Sequence, residues 1–149
     1  MLLLTERRLS GFILAIFLLS ALPAPAQENS YREDNLCRRY KTIGLGKKLD
    51  FEVFKNAFRV SENLDFEKDR YLTIIDYSKP SDQKRFFVID KKENRLLYQE
   101  YAAHGMNTGN NHALEFSNVS GSKKSSLGFF RTGKSYTGRN GYSRCILCF

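Results

Sequence analysis

The chain contains 149 residues, with 24 Lys and Arg against 16 Asp and Glu, and its formal net charge is +8. This length is enough for one small domain with a single hydrophobic core and excludes an architecture of two full domains. The positive charge favours an anionic partner, although a basic surface that contacts only solvent explains it equally well.

The N-terminal 26 residues have the three parts of a secretory signal peptide. Arg7 and Arg8 form the charged part, an apolar run extends over residues 12–22, and a small-residue cleavage site lies at residues 24–26. The apolar run has ~11 residues, whereas a bilayer-spanning helix needs about 20. We therefore expect cleavage before Gln27, export to the periplasm or cell envelope, and no stable membrane span in the mature chain.

Export would leave a basic chain, since residues 27–149 keep 22 Lys and Arg against 15 Asp and Glu. An exported protein meets the anionic polymers of the cell envelope first. A nucleic-acid partner is not expected, because the chain lacks aromatic residues interleaved with a basic stripe at a recognised spacing.

Three cysteines remain after export, Cys37, Cys145 and Cys148, which is an odd number for an oxidising compartment. At least one of them is therefore free or pairs between chains. Cys145 and Cys148 have the spacing of a redox motif or of half a zinc site, but no second Cys pair and no strand-to-helix turn accompanies them. We interpret them as a chance feature of the C-terminal tail and expect neither a metal site nor a cofactor.

Helices are predicted only in the first part of the mature chain. A polar leader covers residues 27–35, and a short helix over residues 36–43 follows it and ends at Gly44. Asp50 can cap a second helix that extends to roughly Asn63. The apolar side chains of this helix recur at helical spacing, at Phe51, Phe54, Ala57 and Phe58.

Beyond residue 69 the sequence becomes strand-like. Four short runs rich in β-branched and aromatic residues predict strands at residues 71–77, 85–90, 95–101 and 127–132. The second and third runs are joined by polar residues and predict a β-hairpin. Residues 27–69 are thus expected to hold the leader and the helical segment, and residues 70–149 a mainly β domain.

Loops rich in Gly, Ser, Thr and Asn occupy much of the stretch from His104 to Ser143. Glycine supplies turn angles that other residues resist, and it occurs here at Gly105, Gly109, Gly121, Gly128, Gly133, Gly138 and Gly141. Loops on a rigid β scaffold are where binding groups usually lie. This stretch is therefore the predicted functional region.

The order of six short segments is the most specific signal in the chain. They are Thr73-Ile74-Ile75-Asp76-Tyr77-Ser78-Lys79-Pro80-Ser81, Ala103-His104-Gly105 with Thr108-Gly109, Phe116-Ser117-Asn118, Ser125-Ser126-Leu127-Gly128-Phe129, Thr132-Gly133, and Gly138 to Ser143. In this order they resemble the murein L,D-transpeptidase catalytic-domain family, over about residues 40–143. The resemblance implies a mainly β fold, a partial YkuD-like β-sandwich with one or two short N-terminal helices.

The resemblance also implies a function, the cross-linking of peptidoglycan by cysteine acyl transfer in the cell wall. In such enzymes a thiolate attacks a carbonyl of a peptidoglycan stem peptide, a His acts as base, and backbone N–H groups stabilise the oxyanion. The resemblance implies substrate-binding roles for His104, Gly105, Ser125, Ser126 and Gly128.

The catalytic residues of the family are expected to be missing. They lie in a later segment, which has a His-Gly and then a Ser-x-Gly-Cys motif, and this chain ends before either. Residues 70–149 are therefore expected to be an incomplete catalytic domain, truncated before its nucleophile and inactive as given. Cys145 or Cys148 with His104 as base is a formal substitute, but neither Cys lies in a Gly-rich oxyanion turn.

A non-catalytic peptidoglycan-binding protein of the envelope is the alternative function. Such a protein would keep the groove of the family and use its positive charge to hold the wall polymer. His104 also has two open interpretations, as part of the groove wall or as a structural His bonded to the backbone.

Overall fold

The computed structural model describes residues 25–63, 70–139 and 141–148. Two helices, α1 (Pro25–Ile43) and α2 (Phe51–Asn63), precede five strands, β1 (Tyr71–Ile75), β2 (Phe86–Asp90), β3 (Arg95–Glu100), β4 (Phe130–Gly138) and β5 (Gly141–Cys148). The strands form two antiparallel sheets, β1-β2-β3 and β4-β5. This mainly β architecture with two helices confirms the predicted fold class. Residues 1–24, most of the predicted signal peptide, lie outside the described residues, and neither described helix has the length and apolar character needed to cross a membrane.

Helix α2 has the bounds that its sequence predicts. Asp50 caps it, since its Oδ1 accepts hydrogen bonds from the backbone N–H groups of Glu52 at 2.8 Å and Val53 at 3.3 Å. Phe54 and Phe58, four residues apart, are buried on the same face. Their ring centroids lie 5.3 Å apart, so the apolar side of the helix forms a continuous aromatic surface.

Helix α1 is longer than predicted, because the polar leader over residues 27–35 is helical. The predicted start of this helix at residue 36 was wrong, because the residues before it lack an apolar periodicity that would indicate a helix. In the fold, Glu33 pairs with Lys55 of α2 at 3.1 Å, so a polar position of α1 has a partner that is distant in sequence. The other end agrees with the prediction, since the helix ends at Ile43 and Gly44 follows with a φ of 75°.

The hydrophobic core lies between the two helices and one face of the three-stranded sheet. Alternate residues of β2, Phe87 and Ile89, are fully buried there, as expected for one face of a strand, and Ile74 of β1 belongs to the same cluster. The helices and the connection between them contribute Leu36, Ile43, Leu45, Leu49, Phe54 and Phe58. This core anchors the strands from which the later loops extend.

Strands β2 and β3 form the predicted hairpin, and Asp90 closes it. The Asp90 Oδ1 accepts hydrogen bonds from the backbone N–H groups of Lys92 and Glu93, each at 3.1 Å. Arg70 donates to Oδ2 through Nε at 3.1 Å and Nη2 at 2.7 Å. Asp90 is completely buried. The hydrogen bonds from Arg70, followed by those from the turn, lower the pKa of the Asp90 carboxyl to about 2.

Strands β4 and β5 form a second hairpin, which contacts no other helix or strand in the described part of the chain. Strand β4 begins three residues later than the strand predicted at 127–132 and continues to Gly138. The interpretation of the C-terminal residues as a tail was wrong, because residues 141–148 are strand β5 and Cys145 lies on it. Hydrogen bonds to β4 stabilise this strand, and short-range sequence patterns do not reveal such pairing.

Candidate functional site

The loop between β3 and β4 contains two segments, residues 103–109 and 116–127, that are joined by polar contacts. Gly105 lies where they approach most closely. Its N–H donates to Ser125 Oγ at 2.9 Å, and a Cβ atom at this position would lie only 2.5 Å from the carbonyl oxygen of Lys123. Only glycine allows such a close approach without a shift of the backbone.

Thr108 and Gly109 determine the shape of the first segment. The buried Thr108 side chain accepts a hydrogen bond from the Ser125 N–H at 2.7 Å, so it also ties the two segments together. Gly109 has a φ of 147°, and a Cβ atom there would lie 2.1 Å from the carbonyl oxygen of His112. Both the backbone angle and the close approach therefore require glycine at position 109.

His104 lies in the same segment and has partners on both ring nitrogens. Its Nδ1 is 2.7 Å from Nη2 of Arg85, and its Nε2 is 3.0 Å from the carbonyl oxygen of Gly109. A guanidinium group can only donate, so Nδ1 accepts and Nε2 carries the hydrogen that it donates to Gly109. These contacts assign the tautomer of His104 and hold its ring in one orientation.

Arg85, directly before β2, is a completely buried cation. Its Nε and Nη2 donate to the carbonyl oxygen of Ala102 at 3.0 and 2.8 Å, and its Nη1 donates to the carbonyl oxygen of Lys79 at 2.8 Å. The guanidinium carbon lies 5.1 Å from the centroid of the Tyr77 ring. Arg85 therefore joins the turn after β1, the chain after β3 and the His104 ring.

A first cavity, the His104 cavity, opens beside this ring. Its volume is about 380 Å³, and it is lined by Ser81, Ala103, His104, Gly105, Met106, Gly109 and Asn110. Much of its wall is therefore backbone and small or polar side chains. Such a wall presents hydrogen-bonding groups to a ligand.

A second cavity, the Leu127 cavity, lies between α2, the end of β1 and the loop. Its volume is about 430 Å³, and it is lined by Val53, Ile75, Asp76, Tyr77, Ser78, Ala113, Phe116 and Leu127. Most of these side chains are apolar. Asn118 holds this part of the loop, because its side-chain amide exchanges two hydrogen bonds with the backbone of Leu127, at 3.0 and 3.1 Å.

Of the five residues that the sequence predicts for substrate binding, two line a cavity and three do not. His104 and Gly105 line the His104 cavity. Ser125 contacts Gly105 without being part of the lining, so it supports the wall. Ser126 and Gly128 are exposed on either side of Leu127, and Ser126 Oγ donates to the Ser117 carbonyl oxygen at 3.2 Å.

Sequence reasoning missed Arg85 and, in the cavity lining, Ser81, Met106 and Asn110. Arg85 was assigned to the beginning of a strand, and a cation at a strand end ordinarily predicts an exposed side chain. Its partners Ala102 and His104 are 17 and 19 residues away, so no local pattern identifies them. The family resemblance did include Thr108 and Gly109, which lie in the same loop segment as His104.

The described cysteines and the histidine outside the cavity are far from forming a reactive pair or a metal site. Cys37 is half-buried on α1 and Cys145 is exposed on β5, and neither is hydrogen-bonded to a histidine. His112 is exposed. No group of three or more His, Cys, Asp and Glu side chains within the described residues is arranged to hold a metal ion.

The sequence matches a family of known catalytic domains. The family model of the L,D-transpeptidase catalytic domain, of the YkuD type, matches residues 45–147. The matched range begins between α1 and α2, includes both cavities, and extends into β5. The chain matches no curated protein and no solved structure. Because the family model covers more than half of the sequence, the chain belongs to the YkuD-type family of L,D-transpeptidase catalytic domains.

Proposed function

We propose that this chain is an exported L,D-transpeptidase-like domain that binds peptidoglycan stem peptides in the His104 cavity. The observation that carries the proposal is the wall of that cavity. At Gly105 and Gly109 the backbone passes so close to other backbone atoms that a residue with a Cβ atom would not fit. A stem peptide carries amide groups and carboxylates, and the polar wall offers hydrogen-bonding partners for both. The membership in a family that acts on peptidoglycan supports this choice of ligand.

We further propose that these 149 residues hold the stem peptide without transferring its acyl group. Acyl transfer by a thiol requires a His nitrogen that is free to take the proton of the Cys. Both nitrogens of His104 are occupied, by Arg85 and by Gly109. Cys37 and Cys145, the cysteines whose side chains are described, are not bonded to a histidine.

Export is the part of the proposal that rests on the N-terminal sequence. The charged, apolar and small-residue parts within residues 1–26 support it. Expression of the full chain followed by cell fractionation tests it, with mass spectrometry of the N-terminus. We expect a product in the envelope fraction that begins at Gln27, and an uncleaved product in the cytoplasm would contradict export.

Binding is tested by calorimetry with a soluble disaccharide tetrapeptide from peptidoglycan. Met106 is 79% exposed and lines the His104 cavity, so Met106→Glu places a negative charge there without removing a core contact. Leu114 is 77% exposed and outside the lining, which makes Leu114→Glu a matched control. We expect binding by the native chain and the control and at least a roughly fivefold weaker affinity for Met106→Glu, since like charges repel. Equal affinities for the two variants would exclude this cavity.

The absence of acyl transfer is tested separately. The purified chain is incubated with tetrapeptide stems and an amine acceptor, and the products are followed by mass spectrometry. We expect the stems to remain intact. Release of the terminal amino acid would refute this part of the proposal.

A further inference from the structure

The charges of the chain are segregated along its sequence. All 16 Asp and Glu lie at or before Glu115, whereas the residues from 116 to 149 include six Lys and Arg and no acidic residue. Most of the net charge of +8 therefore belongs to this last part. One of its cations, Lys124, is paired with Glu115 at 2.5 Å, so the remaining positive charge is concentrated towards the β4-β5 hairpin.

The hairpin presents its cations to solvent. Lys134, Arg139 and Arg144 are exposed, and neither strand contacts another helix or strand of the described residues. Residues that face each other in the register lie on the same side, so Arg144, opposite Ser135, shares a face with Tyr142, opposite Thr137. Lys134 lies in the β-bulge between Thr132 and Ser135, where the regular alternation of faces is interrupted, and Arg139 lies in the turn between the strands. Exposed cations thus lie on both strands and at the turn of the hairpin.

Two exposed tyrosines accompany these cations. Tyr136 is 52% and Tyr142 is 74% exposed, and their positions in the register place them on opposite faces. A tyrosine ring offers a flat apolar surface with a polar edge, which suits contact with partly polar ligands such as sugar rings. The hairpin surface therefore combines cations with aromatic rings, and Arg144 and Tyr142 share one face.

Edge-to-edge pairing of two hairpins does not fit this surface. Pairing of two hairpins edge to edge would bring together strands that carry only positive charges, and like charges on neighbouring strands are destabilising. A polymer with many negative groups has the complementary charge. Among such polymers, one that also carries sugar rings matches both the cations and the tyrosines.

We propose that the β4-β5 hairpin is a second binding surface, on which the carboxylate-bearing glycan network of insoluble peptidoglycan is held. The identity of the polymer rests on the proposed function, whereas the need for a polyanion rests on the hairpin alone. Contacts at the hairpin and at the His104 cavity then act on one polymer, so each raises the local concentration of ligand at the other.

The experiment compares two triple variants of the full mature chain that lose the same charge. The hairpin variant is Lys134→Gln, Arg139→Gln and Arg144→Gln, and the control is Arg38→Gln, Lys47→Gln and Lys92→Gln, at exposed positions elsewhere. Circular dichroism first establishes that both are folded. Each is then sedimented with purified peptidoglycan from which phosphate-containing polymers have been removed, at low and at high salt.

We expect roughly tenfold weaker retention of the hairpin variant at low salt, with the control close to the native chain, since surface ion pairs each contribute modestly. The difference should vanish at high salt, where these contacts are screened. Equal losses in both variants, or retention that depends on the phosphate-containing polymers, would overturn the inference. If the native chain does not bind the soluble tetrapeptide but the hairpin effect persists, the proposed cavity fails and the hairpin surface stands.

Discussion

At the scale of single residues, Arg85 is the side chain that connects the most distant parts of the site. Its guanidinium binds carbonyl oxygens of Lys79 and Ala102 and orients the His104 ring. No ion pair joins it to a carboxylate among the described residues, so carbonyl dipoles, the His nitrogen and the Tyr77 ring stabilise the buried charge. Arg suits this position because its planar group donates in several directions at once.

Replacement of Arg85 by Met should therefore destabilise the fold strongly. The change removes the buried donor of the Lys79 and Ala102 carbonyl groups and of the His104 nitrogen, and a polar group left unsatisfied in the interior costs about 1–3 kcal/mol. We expect a loss of about 3 kcal/mol or more in the free energy of unfolding, measured by urea denaturation. Arg38→Met, at an exposed position of α1, is the control and should change the free energy by less than about 0.5 kcal/mol.

Asp90 should make the stability depend on pH in the acid range. Its pKa is lowered from 3.8 to about 2 in the folded chain, first by the hydrogen bonds from Arg70. A depressed folded pKa means that the stabilisation is fully present above the unfolded value, near pH 4, and is lost as the pH falls towards 2.

The measurement is the urea midpoint of the native chain and of Asp90→Asn at several pH values between 2 and 7. We expect the native midpoint to fall between about pH 4 and pH 2, and the variant to be less stable near neutrality with a smaller change in this range. Parallel curves for the two proteins would show that Asp90 is not the group responsible.

At the scale of elements, α2 illustrates how local chemistry determines a helix. Asp50 satisfies two N–H groups of the first turn, and Phe54 and Phe58 direct one face into the core. Asp50→Ala removes the cap and should lower the free energy of unfolding by about 1 kcal/mol. Asp50→Ser keeps a capping oxygen and should recover most of this loss in the same denaturation experiment, whereas equal losses would point to the charge of Asp50 rather than to its hydrogen bonds.

The hairpins illustrate two different sources of strand stability. Strand β2 has a partner on each side and a fully buried face, and its position follows from its alternating apolar residues. Strands β4 and β5 have only each other. An isolated pair of strands is marginally stable in water, so the second hairpin depends on its own turn and cross-strand contacts.

At the scale of the whole molecule, this difference predicts two levels of local stability. The amides of Phe87 and Ile89 lie in the buried central strand, whereas those of β4 and β5 lie in a hairpin without contacts to other described elements. In hydrogen exchange followed by NMR, we expect β4 and β5 amides to exchange at least about a hundredfold faster than the two β2 amides. Similar protection in both regions would show that the chain unfolds as a single unit.

The charge of the molecule is also distributed differently between the core region and the β4-β5 hairpin. Core and cavities are built from residues before 130, where acidic and basic side chains are mixed, and the hairpin carries basic side chains only. The proposed function therefore has a shaped site in one part and a charged surface in the other. The total charge of +8 predicts an anionic partner but not where that partner binds.

The sequence alone determined the elements whose causes are local. The bounds of α2, the end of α1 at Gly44 and the β2-β3 hairpin were predicted because caps, turn residues and alternating burial involve residues close in sequence. The ordered segments between Thr73 and Ser143 likewise led to the correct family. The role predicted for His104 and Gly105 in substrate binding stays a prediction, and both residues line the His104 cavity.

Only the tertiary structure decided the features that depend on distant partners. Glu33 in the leader pairs with Lys55 of α2, β5 is hydrogen-bonded to β4, and of the predicted site residues only His104 and Gly105 line a cavity. The sequence could not predict the role of Arg85 for the same reason, since its buried position depends on Ala102 and His104. Contacts between residues far apart in the chain leave no periodic signal, so the fold must form before they can be recognised.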